Sequence, residues 1–167
     1  SAVNGNSSPA ASFTWIRDTV APAAPTISSP ATNPYTSADT TIAITGGCET
    51  GATVTLAGAT SSTTTCASSA YTFNTTKSVD GTYDYTISQT DLNGNTSSST
   101  SFRWTRDTTV PSSPTVGSPS PNPYYSSGSS ITISGTCTNG TTVTLGGADA
   151  QSAVCSGSAY SFTVNKT

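Results

Sequence analysis

The chain predicts an all-β protein, and three observations carry that reading. Apolar residues alternate with Thr, Ser, Ala and Asn at a period of two in several short runs, such as Val54-Thr55-Leu56 and Tyr71-Thr72-Phe73. No stretch shows a 3.6-residue apolar period, and the abundance of Thr, Ser and Gly disfavours helix almost everywhere. Ser and Thr supply 65 of 167 residues, whereas 13 are charged (5 Lys and Arg, 8 Asp and Glu). That composition would suit a disordered tract, and the ordered alternation argues against one. Thr is β-branched and fits the solvated face of a strand, while Ser, Gly, Asn and Pro fit tight turns.

The elements follow in chain order. Phe13 and Trp15 alternate in a first strand-like segment. Ile42 and Ile44 alternate with Thr41, Ala43 and Thr45, and Gly46-Gly47 stops the run. Val54 and Leu56 alternate with Thr53 and Thr55, and Tyr71 and Phe73 with Thr72 and Asn74. Tyr83, Tyr85 and Ile87 follow an Asp80-Gly81 turn, and Asn93-Gly94 makes a hairpin turn into Phe102 and Trp104. The aromatic residues on these alternating positions, Phe13 and Trp15 included, are expected to pack in a core rather than stack on a ligand.

The chain also repeats itself at a period of 89 residues without insertion or deletion. Trp15 recurs as Trp104, Asp18 as Asp107, Cys48 as Cys137 and Tyr71 as Tyr160, and residues 1–78 match 90–167 at 36 of 78 positions. A fixed period of this size marks an array of similar modules. About seven short strands per period is the count of an immunoglobulin-type β-sandwich. The phase of the repeat predicts three pieces. Residues 1–16 would be the last strand of a preceding module, 17–105 a complete module, and 106–167 a second one truncated at its C-terminal end. Pro22 and Pro25, with Pro111 and Pro114, stiffen short junctions, so modules are expected end to end.

The cysteines pair as Cys48 with Cys66 and Cys137 with Cys155, at the same spacing of 18 in each repeat. Zinc is the competing reading, but one module offers two thiols, no His and no CxxC. Disulfides imply an oxidising compartment: periplasm, secreted or cell surface. Closing such a loop contributes roughly 3 kcal/mol, useful to a module too polar for a large core. The net charge of −3 leaves no electrostatic footprint for nucleic acid. A basic membrane-binding helix is equally absent from the sequence.

The run Asp107-Thr-Thr-Val-Pro-Ser-Ser-Pro-Thr-Val, then Ile131-Thr-Ile-Ser-Gly-Thr-Cys and Gly140-Thr-Thr-Val-Thr-Leu, resembles tandem bacterial immunoglobulin-like (Big-type) repeats. Thr90-Asp91-Leu92-Asn93-Gly94-Asn95-Thr96-Ser97 is similar to the hairpin before the last strand of those repeats. The resemblance covers the whole chain twice over and implies stalks and adhesive arrays of large surface proteins. It also implies calcium as a candidate ligand at the junctions, where Asp18 or Asp107 with Asp91 would supply oxygens. Calcium takes six to eight oxygen ligands, several of them carboxylate. The competing reading is that these aspartates cap turns or pair with Arg17, Arg103 or Arg106.

Other candidates are weighed in the same way. Tyr35, Tyr124 and Tyr125 lie in turn-like Asn-Pro-Tyr stretches and would stack on sugar rings if exposed, or fold back over the sandwich edge. Asn6, Asn74, Asn95, Asn139 and Asn165 match the N-glycan acceptor pattern, which is frequent by chance in so Ser/Thr-rich a chain, and the Ser/Thr faces could carry O-linked glycan. Lys77 and Lys166 are candidates for an isopeptide crosslink. Catalysis is disfavoured by inventory: no His, paired thiols, and Asp39, Glu49, Asp80, Asp84 and Asp91 scattered over different turns and strands. The expected function is therefore a non-enzymatic structural repeat of a bacterial extracellular or cell-surface fibre or adhesin. Its partners would be neighbouring modules of the same or identical chains. A variant has residues 8–17, with Phe13 and Trp15, donated as an assembly strand to a neighbour. The alternative is a module binding host or surface glycan or another surface polymer.

Overall fold

A computed structural model describes Gly5 and residues 9–166. The protein is all-β: the described residues form eleven strands and no helix. They are β1 (Tyr35–Ser37), β2 (Thr41–Gly47), β3 (Thr53–Gly58), β4 (Ser62–Thr65), β5 (Ala70–Thr76), β6 (Gly81–Thr90), β7 (Thr100–Arg106), β8 (Ser130–Thr136), β9 (Thr142–Leu145), β10 (Gln151–Val154) and β11 (Ala159–Asn165). Two compact units divide between Thr108 and Thr109.

In the first unit, five strands form a sheet in the order β1-β7-β6-β3-β4, and β2 pairs with β5 in a second sheet. All pairs are antiparallel except β1 with β7, where Tyr35 stands opposite Trp104. Alternation decides which side chains are buried. Ile42, Ile44, Tyr71 and Phe73 of one sheet share a single core with Val54, Leu56, Tyr85, Ile87, Phe102 and Trp104 of the other. The intervening Thr, Ser and Asn positions face away, which is why so hydroxyl-rich a chain still forms an apolar core. The Cys48–Cys66 disulfide joins the end of β2 to the end of β4 with 5.9 Å between the Cα atoms, and Cys66 is buried.

The second unit pairs β8 with β11 and β9 with β10. Its core contains Val143, Cys155, Tyr160 and Phe162, flanked by Ile133, Cys137, Leu145 and Ala153. Its disulfide, Cys137–Cys155, repeats the first with 6.0 Å between Cα atoms. A second detail recurs. The Tyr71 hydroxyl donates to the Thr26 carbonyl at 2.8 Å, and the Tyr160 hydroxyl to that of Thr115 at 2.9 Å.

Three expectations need correction. Gly46-Gly47 does not end its strand, because β2 runs through Gly47 and the 26–29 segment pairs alongside it. A Cβ on Gly46 would lie 1.7 Å from the Thr26 carbonyl oxygen, so this glycine serves a close backbone approach rather than a stop. Tyr35 belongs to a strand, not a turn, since β7 supplies a parallel edge for it. Among the described residues, Phe13 and Trp15 lie in no strand and in no core, and they are 91% and 77% exposed.

Candidate functional site

In the first unit, side-chain hydrogen bonds tie down the segment that precedes β1 and the segment that follows β7, at opposite ends of the β6–β7 pair. β6 and β7 run antiparallel with Gly81 opposite Arg106 and Ile87 opposite Thr100. One end of this ribbon therefore carries Asp80 and Arg106, and the other carries Gln89, Asp91 and Thr100.

At the first end, the outgoing segment is held by Asp80. Its Oδ2 accepts the Thr108 amide at 2.9 Å and the Thr108 hydroxyl at 2.7 Å. Its Oδ1 accepts Nη1 of Arg106, whose side chain is 10% exposed. The Asp107 amide donates to the Ser37 carbonyl at 3.0 Å, so the strand edge β1 takes part as well. The Thr108 hydroxyl first, and then its amide, hold the Asp80 carboxyl below the usual carboxylate range; burial opposes them, and the Arg106 charge adds a lesser lowering.

At the other end, the incoming segment runs over Gln89, Asn93 and Thr100. Gln89 is 3% exposed and both side-chain heteroatoms are bonded: its Nε2 donates to the Ala23 carbonyl at 2.7 Å, and its Oε1 accepts the Glu49 amide at 2.8 Å. The Thr100 hydroxyl donates to the Pro25 carbonyl. Asn93 Nδ2 donates to Asp18 Oδ2 at 2.9 Å, while Asp18 Oδ1 accepts the Val20 amide. The loop that presents Asn93 is shaped by Asp91. Its Oδ1 accepts the amides of Asn93 and Asn95 at 2.8 Å each, and its Oδ2 accepts Asn95 Nδ2 at 2.8 Å. Gly94 closes this turn at φ +92°, a left-handed conformation that favours glycine. The Asn95 side chain, followed by these backbone donors, keeps the Asp91 carboxyl below its usual range.

The predicted residues thus fall into distinct places. Asp18 and Asp91 come together across Asn93, and Asp107 stands at the opposite end of the unit. Among the described residues no cluster of three or more His, Cys, Asp or Glu side chains exists. Asp18 and Asp91 are the acids a cation would meet, and the donors around Asp91 give it the geometry of a turn cap. Arg103 makes a two-pronged pair with Asp84, at 2.6 and 3.1 Å, on the outer face of the sheet. Tyr35 packs against the core, whereas Tyr124 is 46% and Tyr125 87% exposed. Lys77 donates to the Ala59 carbonyl and lies 5.0 Å from the Tyr83 ring centre, and Lys166 pairs with Asp149. Asn95 and Asn139 are engaged in hydrogen bonds, and Asn74 and Asn165 are exposed. Asn6, and Ser8 of the 8–17 segment, lie outside the described residues.

Sequence reasoning missed the roles of Asp80, Gln89 and Thr108. The recurrence of Arg17-Asp18-Thr19 as Arg106-Asp107-Thr108 was the available signal for the junction; the partners across the fold had none. Compared with known proteins, the chain matches no family model and no curated protein.

Proposed function

We propose that the chain is a run of tandem immunoglobulin-like β-sandwich modules, arranged end to end, that serves as a structural repeat of a bacterial extracellular or cell-surface fibre or adhesin. The observation that supports this most directly is the fastening of incoming and outgoing segments at opposite ends of one unit. A module threaded in this way adds its own length to an array, as a catalytic domain has no need to do. The two sheets sharing one core, the seven strands of the first unit and the strand order with β7 between β1 and β6 support the sandwich reading. The disulfides suit an oxidising, extracellular or periplasmic environment. Among the described residues no helix is long and apolar enough to cross a membrane.

Electron microscopy of native material containing this chain tests the reading. Thin continuous fibres or stalks with an axial repeat of at least about 33 Å, the length of a ten-residue strand such as β6, are expected. Compact particles with no axial repeat would sink it. A second reading, a glycan-binding module, is favoured only by the exposure of Tyr124 and Tyr125. Glycan-array binding lost in Tyr124→Ala/Tyr125→Ala would promote it.

A further inference from the structure

We infer that Asn93 is a site of spontaneous deamidation, and that its conversion releases the 18–20 segment from the loop between β6 and β7. The reaction needs an amide side chain followed by a residue whose backbone nitrogen can reach it. Glycine in that place has no Cβ to block the approach. Asn93-Gly94 has this form, and both residues are exposed. Nothing crowds the turn, since even a Cβ on Gly94 would meet no atom within 4 Å. The attacking nitrogen is also loosely held. The Gly94 amide donates to the Asp91 carbonyl at 3.3 Å, longer than an ordinary N–H···O bond.

The chemistry requires only water and base. Base removes the Gly94 amide proton, and the nitrogen attacks Cγ of Asn93. A C–N bond forms, the Cγ–Nδ2 bond breaks, and Nδ2 takes a proton from water and leaves as ammonia. Water then opens the cyclic succinimide. Cleavage at the side-chain carbonyl leaves aspartate, and cleavage at the main-chain carbonyl leaves isoaspartate. Water is consumed and ammonia released, with nothing oxidised or reduced.

Two other pairs among the described residues can close the same ring, and the fold protects both. At Asp80-Gly81 the carboxylate has Oδ1 on Arg106 and Oδ2 on Thr108, and an ionised carboxylate resists attack. At Asn139-Gly140 the Gly140 amide donates to the Cys155 carbonyl at 2.9 Å, and Asn139 Oδ1 accepts the Gly157 amide at 3.0 Å. Asn4-Gly5 repeats the Asn93-Gly94 pair one period earlier, and Asn4 lies outside the described residues.

The consequence follows from what Asn93 holds. Its Nδ2 donates to Asp18 Oδ2 at 2.9 Å, and this is the nitrogen that departs. After conversion a carboxylate faces the Asp18 carboxylate, so the donor is lost and like charges repel. Asp18 Oδ1 accepts the Val20 amide, which is freed when Asp18 moves away. The bonds from Gln89 to Ala23 and from Thr100 to Pro25 do not involve Asn93, so the loosening stops short of residue 23. One tie is thus undone slowly and irreversibly while the core stays intact.

Ageing of the full chain in warm, mildly alkaline buffer, followed by reduction, trypsin digestion and peptide mass spectrometry, tests this. Arg17, Lys77, Arg103 and Arg106 place Asn4, Asn93 and Asn139 on separate peptides. Asn93 should convert about tenfold faster than Asn139, the weight of one hydrogen bond on the attacking amide, and should yield two products of equal mass. Hydrogen exchange of the Val20 amide, followed by NMR, should quicken in the aged chain and in Asn93→Asp, with β6 and β7 amides unchanged. Conversion at Asn139 as fast as at Asn93 overturns the inference, as does a Val20 amide that exchanges equally in the native chain and in Asn93→Asp. Either result leaves the structural-repeat reading standing, because that reading falls only on the microscopy.

Discussion

Asp80 and Thr108 are joined twice, through the amide and the hydroxyl of the threonine on one carboxylate oxygen, at 2.9 and 2.7 Å. The segment that leaves β7 is thereby held beside the residue that precedes β6. Arg106, nearly buried, neutralises the same carboxylate from the sheet side. The three residues tie the segment that follows β7 to the residue before β6.

This arrangement makes stability depend on pH at the acid end. The Asp80, Asp84 and Asp91 carboxyls all lie below their ordinary 3.8 in the folded protein. A lowered carboxyl contributes stability that is fully present above the unfolded value and is lost as pH falls through the folded one. The thermal midpoint should hold down to about pH 4 and then drop, and Asp80→Asn should remove part of that drop. Tyr71 sets the alkaline limit. Burial pushes its hydroxyl from 10.0 up to about 12, so its contribution is complete below pH 10 and lost as pH rises toward 12. Differential scanning fluorimetry from pH 2 to 12 checks both arms. A flat profile below pH 4 would remove the role given to the carboxylates.

Gly46→Ala should be among the most damaging small substitutions in the first unit. The new Cβ would sit 1.7 Å from the Thr26 carbonyl oxygen and 2.8 Å from the Tyr71 hydroxyl. Separating β2 from the 26–29 segment is expected to cost about 3 kcal/mol, measured by urea unfolding. Gly94→Ala, by contrast, meets no atom and carries only the strain of its left-handed backbone.

The two tryptophans should behave oppositely although the repeat makes them equivalent. Trp104→Ala removes a fully buried ring and should cost about 3–5 kcal/mol. Trp15→Ala removes an exposed ring and should stay within about 0.5 kcal/mol. Equal losses at both sites would mean that Trp15 is packed in the isolated chain.

Reduction separates the contribution of the crosslinks from that of the cores. Opening either disulfide should cost roughly 3 kcal/mol. The second unit, with four buried apolar residues in its core against eleven in the first, should melt first under dithiothreitol. Calorimetry with and without reductant resolves the two transitions.

Much of the fold was legible because alternation is a direct record of which side chains share a face. Ile42 and Ile44, Val54 and Leu56, Tyr71 and Phe73, and Tyr85 and Ile87 all lie in the core where the period of two puts them. Alternation fails where a strand has no apolar face, so β4, built from Ser62 to Thr65, was invisible. It also cannot report whether a partner strand exists. Phe13-Thr14-Trp15 reads like Phe102-Arg103-Trp104, yet only the latter has β6 and β1 on its two edges. The disulfides were readable from recurrence at equal spacing. The fastening residues were not, because Asp80 with Thr108 and Gln89 with Ala23 are separated by 28 and 66 positions and share no local motif.

The disulfide between Cys48 and Cys66 has a consequence for a chain under tension. When a unit is pulled from its two fastened ends and gives way, the stretch between the cysteines, a sequence separation of 18, stays looped and does not lengthen. Each extended residue spans at most about 3.3–3.6 Å, so the bond withholds roughly 60 Å of slack from every unit that opens. A pulling trace of the oxidised protein should therefore show steps shorter by about that length than the reduced one. An array built this way would be short-travel tackle, whose reach is capped by sulfur rather than by the length of its chain.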